Sequence, residues 1–333
     1  MSNCKFSSKR VLVFICLLSA IAISCEKEST PLTLPTIKSS KIFTLSSNAI
    51  TIKSTFDITN KEGITTIGIC WDSQSNPSVC GNFTSSSLSD SILYTRIEGL
   101  VPNTKYYARV YASNKDQEVY GPEIEFTTNN TVEDIEGNFY NTVTIGTQTW
   151  MVENLKTTKY NDGSDIPFVS SSTNWAEFNS SGYNYYDYQI VNKNLYGALY
   201  NWQVVNSGEL CPDGWHIPTD KEWTTLIDYL GGEDVASEFL KAVGNIWPST
   251  NNEANNYSGF CALPGGESGT ALGSFSGLGR EGIWWSSTID HSSGDSEGWN
   301  ITRAILENST VQRNGFSSNA GTLNFLSVRC IKN

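Results

Sequence analysis

Residues 211–223 read CPDGWHIPTDKEW, and this run restricts the possible folds more than any other in the chain. Thr219-Asp220-Lys221-Glu222 has the S/T-x-x-E form of a capping box. In that arrangement the threonine hydroxyl accepts from the glutamate amide, and the glutamate reaches back to the threonine amide. Trp223, Leu226, Ile227 and Leu230 follow at i, i+3, i+4 and i+7, one face of a helix, and Gly231-Gly232 ends it. A second helix is expected over 233–243, with Ala236, Phe239, Leu240 and Val243 on one face. Upstream, Pro212-Asp213-Gly214 reads as a turn and Trp215 as a core plug. The run also holds Cys211 and His216, one of only two histidines, so a reactive reading has to be weighed. Nucleophilic sets of the Ser–His–Asp or Cys–His kind need a histidine held by partners. His216 sits between Trp215 and Ile217, ahead of a proline and a capped helix, which is the setting of a packed corner residue. His291 lies in a polar loop. No catalytic residue is assigned, and two isolated histidines with scattered cysteines do not make a zinc site.

The other strong signal is at the start. Lys5, Lys9 and Arg10 precede an apolar run of thirteen residues, Val11–Ile23, broken only by Ser19, and then Ser24-Cys25. A run this short is a signal-peptide core rather than a membrane span, which needs about 20 residues. The small residue before the cysteine resembles the lipobox of bacterial lipoproteins, with Ala22 where leucine is usual. The resemblance implies cleavage after residue 24 and a lipid on Cys25. Acids directly after it, Cys25-Glu26-Lys27-Glu28, resemble the surface-export signal of Bacteroidetes-type lipoproteins. The chain is therefore expected in the cell envelope, on an outer-membrane lipid anchor, exposed at the surface. Cleavage removes three basic residues and no acid, which takes the net charge from −12 to −15. A chain so acidic has no basic face for nucleic acid.

Eight cysteines are present; Cys4 and Cys16 leave with the signal, and Cys25 serves the anchor. Cys70, Cys80, Cys211, Cys261 and Cys330 remain in an oxidising compartment, and an odd number leaves at least one unpaired within the chain. For Cys70 and Cys80, in CWDSQSNPSVC, two readings stand: a bridge across a turn, or a Cys70 that is simply buried.

Residues 25–35 read as a tether. Over 36–128, apolar residues alternate at period two: Ile50, Ile52, Phe56 and Ile58; Ile67, Ile69 and Trp71; Tyr106, Ala108, Val110 and Ala112; Ile124 and Phe126. Several short strands at this spacing argue an all-β sandwich. Leu100-Val-Pro-Asn-Thr-Lys-Tyr106 resembles the L-x-P-x-T-x-Y signature of fibronectin type III domains, which implies a corner hydrogen bond from Tyr106. Residues 129–138 are polar and acidic and read as a linker. The region 139–333 differs in kind: it holds nine of the ten tryptophans. A hairpin is expected at 141–155, a helix at 195–205 with Leu195, Ala198, Leu199 and Trp202 on one face, and strands at 258–266, 282–288, 298–306 and 325–332.

GTQTWMVENL, LYGALYNWQVV, LCPDGWHIPTDKEW, GFCALPGG, WWSST and SVRCIK, in this order, resemble the FISUMP (Fibrobacter succinogenes major paralogous) domain. HIPTDKEW, WWSST and VRC are also similar to the formylglycine-generating-enzyme family, whose core is C-type-lectin-like. The fold class implied is multidomain: an N-terminal fibronectin-like β-sandwich and a C-terminal α+β domain of C-type-lectin-like architecture. Those enzymes use a cysteine pair to hold copper. Here Cys211 and Cys330 are better explained as a disulfide, and Cys261 alone cannot supply two thiolates.

No metal or cofactor is assigned. Asn161–Asp165 and the loop carrying Asp290, Asp295 and Glu297 are oxygen-rich, yet neither has the ligand register of an EF-hand, and turn formation explains their composition. Tryptophans remain as ligand contacts. Trp284 and Trp285 would face opposite sides of a strand, one into the core and one outward. The candidate binding set is Trp284, Trp285, Asp290, Asp295, Glu297 and Trp299. The function expected is non-enzymatic surface binding or adhesion to a glycan or protein. An enzyme of another kind on this scaffold and a structural envelope subunit are the alternatives.

Overall fold

A computed structural model describes residues 34–57, 66–86, 91–170, 179–244, 246–248, 254–269, 273–292, 297–307, 310–317 and 323–333. The export signal and Cys25 lie outside them. Strands outnumber helices by far. By packing, the chain divides into two units. The first holds the described residues of Met1–Ser40, Thr55–Leu93 and Tyr107–Ile124; the second holds Lys41–Ser54, Tyr94–Tyr106 and Glu125–Asn333. The division runs through residues 36–128 and does not follow their end.

In the first unit, Thr66–Asp72 pairs antiparallel with Lys105–Ser113, matching Ile67 to Ala112 and Ile69 to Val110. These four side chains are buried, as the alternation predicts. The bridge between Cys70 and Cys80 does not form. Cys70 is buried on the face of its strand opposite Ile67 and Ile69 and gives its thiol to the carbonyls of Pro77 (3.3 Å) and Arg109 (3.4 Å), while Cys80 is exposed past the turn. Burial pushes the Cys70 thiol up to about 11.

In the second unit, Thr142–Ile145 and Gln148–Met151 form the expected hairpin. Its outer edge pairs with N-terminal residues: Thr44 with Ile145, Leu45 with Thr144, Ser46 with Val143. Phe43 packs on Tyr94, Tyr229 and Phe239. Tyr106 takes a hydrogen bond from the Val101 amide at 3.2 Å, the corner its motif implies. Residues 129–138 are not a bare linker. Val132–Glu133 pairs with Phe139–Tyr140, and the buried Asp134 carboxylate accepts from the Glu136 and Asn138 amides and from the Tyr140 hydroxyl.

Among the described residues four α-helices follow: α1 (Ile190–Tyr196), α2 (Trp202–Asn206), α3 (Asp220–Tyr229) and α4 (Glu233–Leu240). The single helix expected at 195–205 is broken into the end of α1, a strand and α2. Gly197 turns the chain at φ +84°, where an added Cβ would lie 2.7 Å from the Leu155 carbonyl oxygen and 2.8 Å from the Asn154 Cβ. Only glycine tolerates that conformation and that approach. Leu199 and Tyr200 then pair with Ser327 and Leu326, and the Asn201 side chain caps α2. Sheet pairing overrode a helical period. The α3 capping box forms with both of its hydrogen bonds. The end of α4 comes three residues earlier than its periodicity suggests, because Lys241 turns extended to bridge Ala262, and Val243 is exposed.

The strand Glu281–Asp290 divides the core. Trp284 enters a cluster with Trp150, Trp223 and Phe260 on one face; Trp285 enters another with Tyr200, Trp202 and Val328 on the other. Both indoles are fully buried with their N–H groups satisfied, Trp284 by Asn154 Oδ1 (2.8 Å) and Trp285 by the Tyr200 carbonyl (2.7 Å). The C-terminal segment threads between: Ser327 pairs with Trp284, Ile331 with Trp150 and His216, and Cys330 is bonded to Cys211. Trp299–Leu306 and Val311–Ser317 extend the sheet beyond Glu281–Asp290.

Two outcomes are expected. The Cys211–Cys330 bond links residues 119 apart, and a loop of that length removes about 4–5 kcal/mol of unfolded-state entropy, less any strain. Cys211→Ala is expected to lower urea stability by about 2–5 kcal/mol; an unchanged midpoint would refute this. Asn154→Ala removes the acceptor of the Trp284 indole and of two nitrogens of the buried Arg329 together and should cost roughly 3 kcal/mol or more. A loss below about 1 kcal/mol would show that water replaces the amide without penalty.

Candidate ligand-binding groove

The reactive reading of residues 211–223 dissolves in the geometry. Cys211 is in the disulfide, and a bonded pair offers no thiolates to a metal. The His216 ring lies between Glu222 (Nε2 to Oε1, 2.9 Å) and Asn333 (Nδ1 to Oδ1, 2.6 Å). Burial tends to raise the Glu222 pKa, but the Thr219 amide and hydroxyl and the His216 contact outweigh it and hold the carboxyl below its ordinary value. His216 thus braces the capping box.

Asp220, the first residue of α3, works outward. Its Oδ1 accepts from Arg303 Nε (2.9 Å) and Nη2 (2.5 Å), and its Oδ2 accepts from Arg313 Nε (2.7 Å). Arg303 is almost fully buried and also donates to Thr224 Oγ1 (2.9 Å). Arg313 Nη2 donates to Asp290 Oδ2 (2.7 Å), and the Ser292 amide donates to Asp290 Oδ1 (2.8 Å). The result is a chain of alternating charge, Arg303–Asp220–Arg313–Asp290. The Arg313 hydrogen bond, then the one from Ser292, holds Asp290 well below the usual carboxylate range.

Sheet register places these groups beside Trp299. Asp290 pairs with Trp299, Ile301 with Gly315, and Arg303 with Arg313. Between Trp285 and Ile289 the pairing slips: four steps along that strand match two, Thr302 to Asn300, along its neighbour. Such an irregularity re-aims the residues after it, and it brings Asp290 level with Trp299. Gly315, across from Ile301, is closely approached by its neighbours; an added Cβ there would lie 3.3 Å from the Asn300 carbonyl oxygen, 3.3 Å from Ile301 Cδ1 and 3.5 Å from Trp299 Cβ. Asp290, Trp299, Ile301, Arg313, Asn314 and Gly315 line a groove of about 190 Å³. Ile301 is buried at its floor, and Trp299 is 40% exposed.

Residues 143–332 match the family described as the Fibrobacter succinogenes major domain. The chain belongs to that family. The matched span takes in the disulfide, the capping box and every residue of the groove, and leaves out the N-terminal strands. Among solved structures, the chain is similar to the chicken CNTN1 FN1-FN3 domains (20% identity, TM-score 0.24, covering 29% of this chain and 33% of that one). It is also similar to an fn3 domain of human contactin 1 (21%, TM-score 0.24, 34% and 92%) and to the sensor domain of the anti-sigma factor RsgI4 of Pseudobacteroides cellulosolvens (18%, TM-score 0.22, 29% and 74%). It spans about a third of the first of these. No curated protein matches the chain.

Of the six candidate binding residues, the groove unites Asp290 and Trp299. Trp284 and Trp285 do not line it: both faces of their strand are covered, so the outward indole expected there is buried like its neighbour. Glu297 is exposed but does not line the groove, and Asp295 lies outside the described residues. In the other oxygen-rich loop, Asp162 Oδ1 accepts from the Ser164 amide and hydroxyl, and Asp165 pairs with Lys159. Sequence reading missed Arg313, Asn314 and Gly315, because VQRNGFS reads as loop. The available signal was the polar Glu307-Asn308-Ser309 after the strand at 299–306, which marks a hairpin turn.

The Asp290 pKa is lower in the folded chain than in the unfolded one. Its contribution is therefore complete above the unfolded value, about 4, and is lost as pH falls through the folded value. The wild-type advantage in Tm over Asp290→Asn should be constant from pH 8 to about 5 and shrink below about pH 4. An advantage that persists undiminished in strong acid would exclude the ionised pair with Arg313 as its source.

Proposed function

We propose that this is a lipid-anchored envelope protein of the outer membrane, exposed at the cell surface, whose family domain binds an external glycan or protein through the Trp299 groove. The observation that carries the reading is the placement of Trp299. Among the described residues it is the one tryptophan left exposed, and it stands at a groove furnished with fixed hydrogen-bonding groups. An amphipathic aromatic at such a place contributes large contact area at small entropic cost. The export signal, the Ser24-Cys25 junction and the acids at Glu26 and Glu28 support anchoring through Cys25 and surface display. The fibronectin-like N-terminal strands support a spacer role. A C-type-lectin-like architecture for the C-terminal domain suits the reading, since that scaffold presents ligands to loops and strand edges.

Two measurements test it. Incorporation of a labelled fatty acid should depend on Cys25: Cys25→Ala should abolish labelling and release the chain from the outer membrane, and labelling that survives would overturn the anchor. Cells displaying the chain should adhere to glycan- or protein-coated surfaces, and Trp299→Ala should reduce adhesion at least tenfold with equal surface expression. Equal adhesion by both would place binding elsewhere.

A further inference from the structure

Resting on the reading that the Trp299 groove binds, we infer that its ligand is an uncharged pyranose unit of a glycan. The first argument is charge. The fixed charges of the groove close on themselves: Arg303 and Arg313 are met by Asp220 and Asp290, each through direct hydrogen bonds. A carboxylated or sulfated sugar would need an uncommitted cation, and an amino sugar an uncommitted carboxylate. In a site whose pairs are already made, an added charge gives up its hydration without a matching gain.

The second argument is hydrogen-bonding pattern. A guanidinium carries five N–H donors and a carboxylate about four acceptor positions. Arg313 spends Nε and Nη2 on its two aspartates, and Asp290 accepts from Arg313 and Ser292. Directions for donation and acceptance remain side by side on planar groups. Neighbouring hydroxyls, each both donor and acceptor, match that alternation. The groups are also held before the ligand arrives, by α3 on one side and the strand register on the other, so little ordering cost falls on binding.

The third argument is shape. Trp299, part exposed, lines the groove together with Gly315, which has no side chain, and the buried Ile301. The C–H face of a sugar ring packs on such an indole. At about 190 Å³, the groove is smaller than the roughly 300–1,000 Å³ of drug-sized sites and suits one ring. A protein partner would instead be expected to seat a bulky side chain in a broader patch.

The test uses the full chain lacking only its export signal, on an array of neutral, sialylated, uronate-containing, sulfated and amino-sugar glycans, followed by titration with methyl pyranosides. Neutral glycans should dominate, with affinity changing less than twofold between 50 and 500 mM NaCl. Trp299→Ala should lose at least tenfold, Trp299→Phe should retain part of the binding, and Gly315→Ala, the smallest side chain that can be added there, should weaken it. If charged glycans bind best through Trp299 with strong salt dependence, the neutral-sugar inference fails while the groove reading stands. The same holds if the only ligand is a protein that still binds after deglycosylation. If no ligand responds to Trp299→Ala, both fail.

Discussion

A charged group with no ion-pair partner among the described residues organises this fold. Arg329 is wholly buried, and no described carboxylate lies within ion-pairing distance. Burial pushes its pKa down to about 10, which still leaves it protonated at neutral pH. Its charge is met by dipoles and ring faces. Asn154 Oδ1 accepts from Nη2 (2.7 Å) and Nε (3.2 Å), the Phe260 carbonyl accepts from Nη1, and the Phe260 and Trp284 rings lie 4.1 and 5.6 Å from the guanidinium carbon. An isolated cation in a protein interior is costly unless such groups are already in place. The requirement runs outward. Asn154 must point inward, where it also binds Trp284; its neighbour Gly197 must lack a side chain; and the segment carrying Arg329 must pass between the two core clusters, where Cys330 meets Cys211.

That dependence explains which features were legible in the sequence. The capping box, the hairpin at 142–151 and the alternation in residues 66–72 and 105–113 are set by neighbours a few residues away, and all three formed as read. The helix expected at 195–205 failed because its fate is decided by residues 326 and 327, more than a hundred positions downstream. Periodicity records which side chains can share a face; it does not record a competing strand partner. Cys70 and Cys80 failed as a pair for a related reason. Spacing permitted a turn, but Cys70 is buried against the Pro77 and Arg109 carbonyls while Cys80 stays exposed.

The residues of the candidate groove were partly legible. Alternation shows that Trp284 and Trp285 diverge, but not whether both directions are covered. Here the sheet is packed on both faces, so adjacent large aromatics are each core. Trp299 was found because it sits where a loop becomes a strand. Its partners on Val311–Ser317 were invisible, since a strand that turns arginine, asparagine and glycine toward solvent has no hydrophobic signature.

The stretch around the capping box nevertheless leads to the groove, by position and not by reactivity. Glu222, braced by His216, fixes where α3 begins, and that start fixes Asp220. Asp220 holds Arg303 and Arg313 together, and Arg313 holds Asp290 level with Trp299. Each link is a charge-assisted hydrogen bond of defined direction, and these are stronger and geometrically stricter than neutral ones. A groove assembled this way inherits the rigidity of the helix start, although none of residues 211–223 lines it. The imidazole and carboxylate that suggested catalysis are occupied in holding the helix start that the groove leans on.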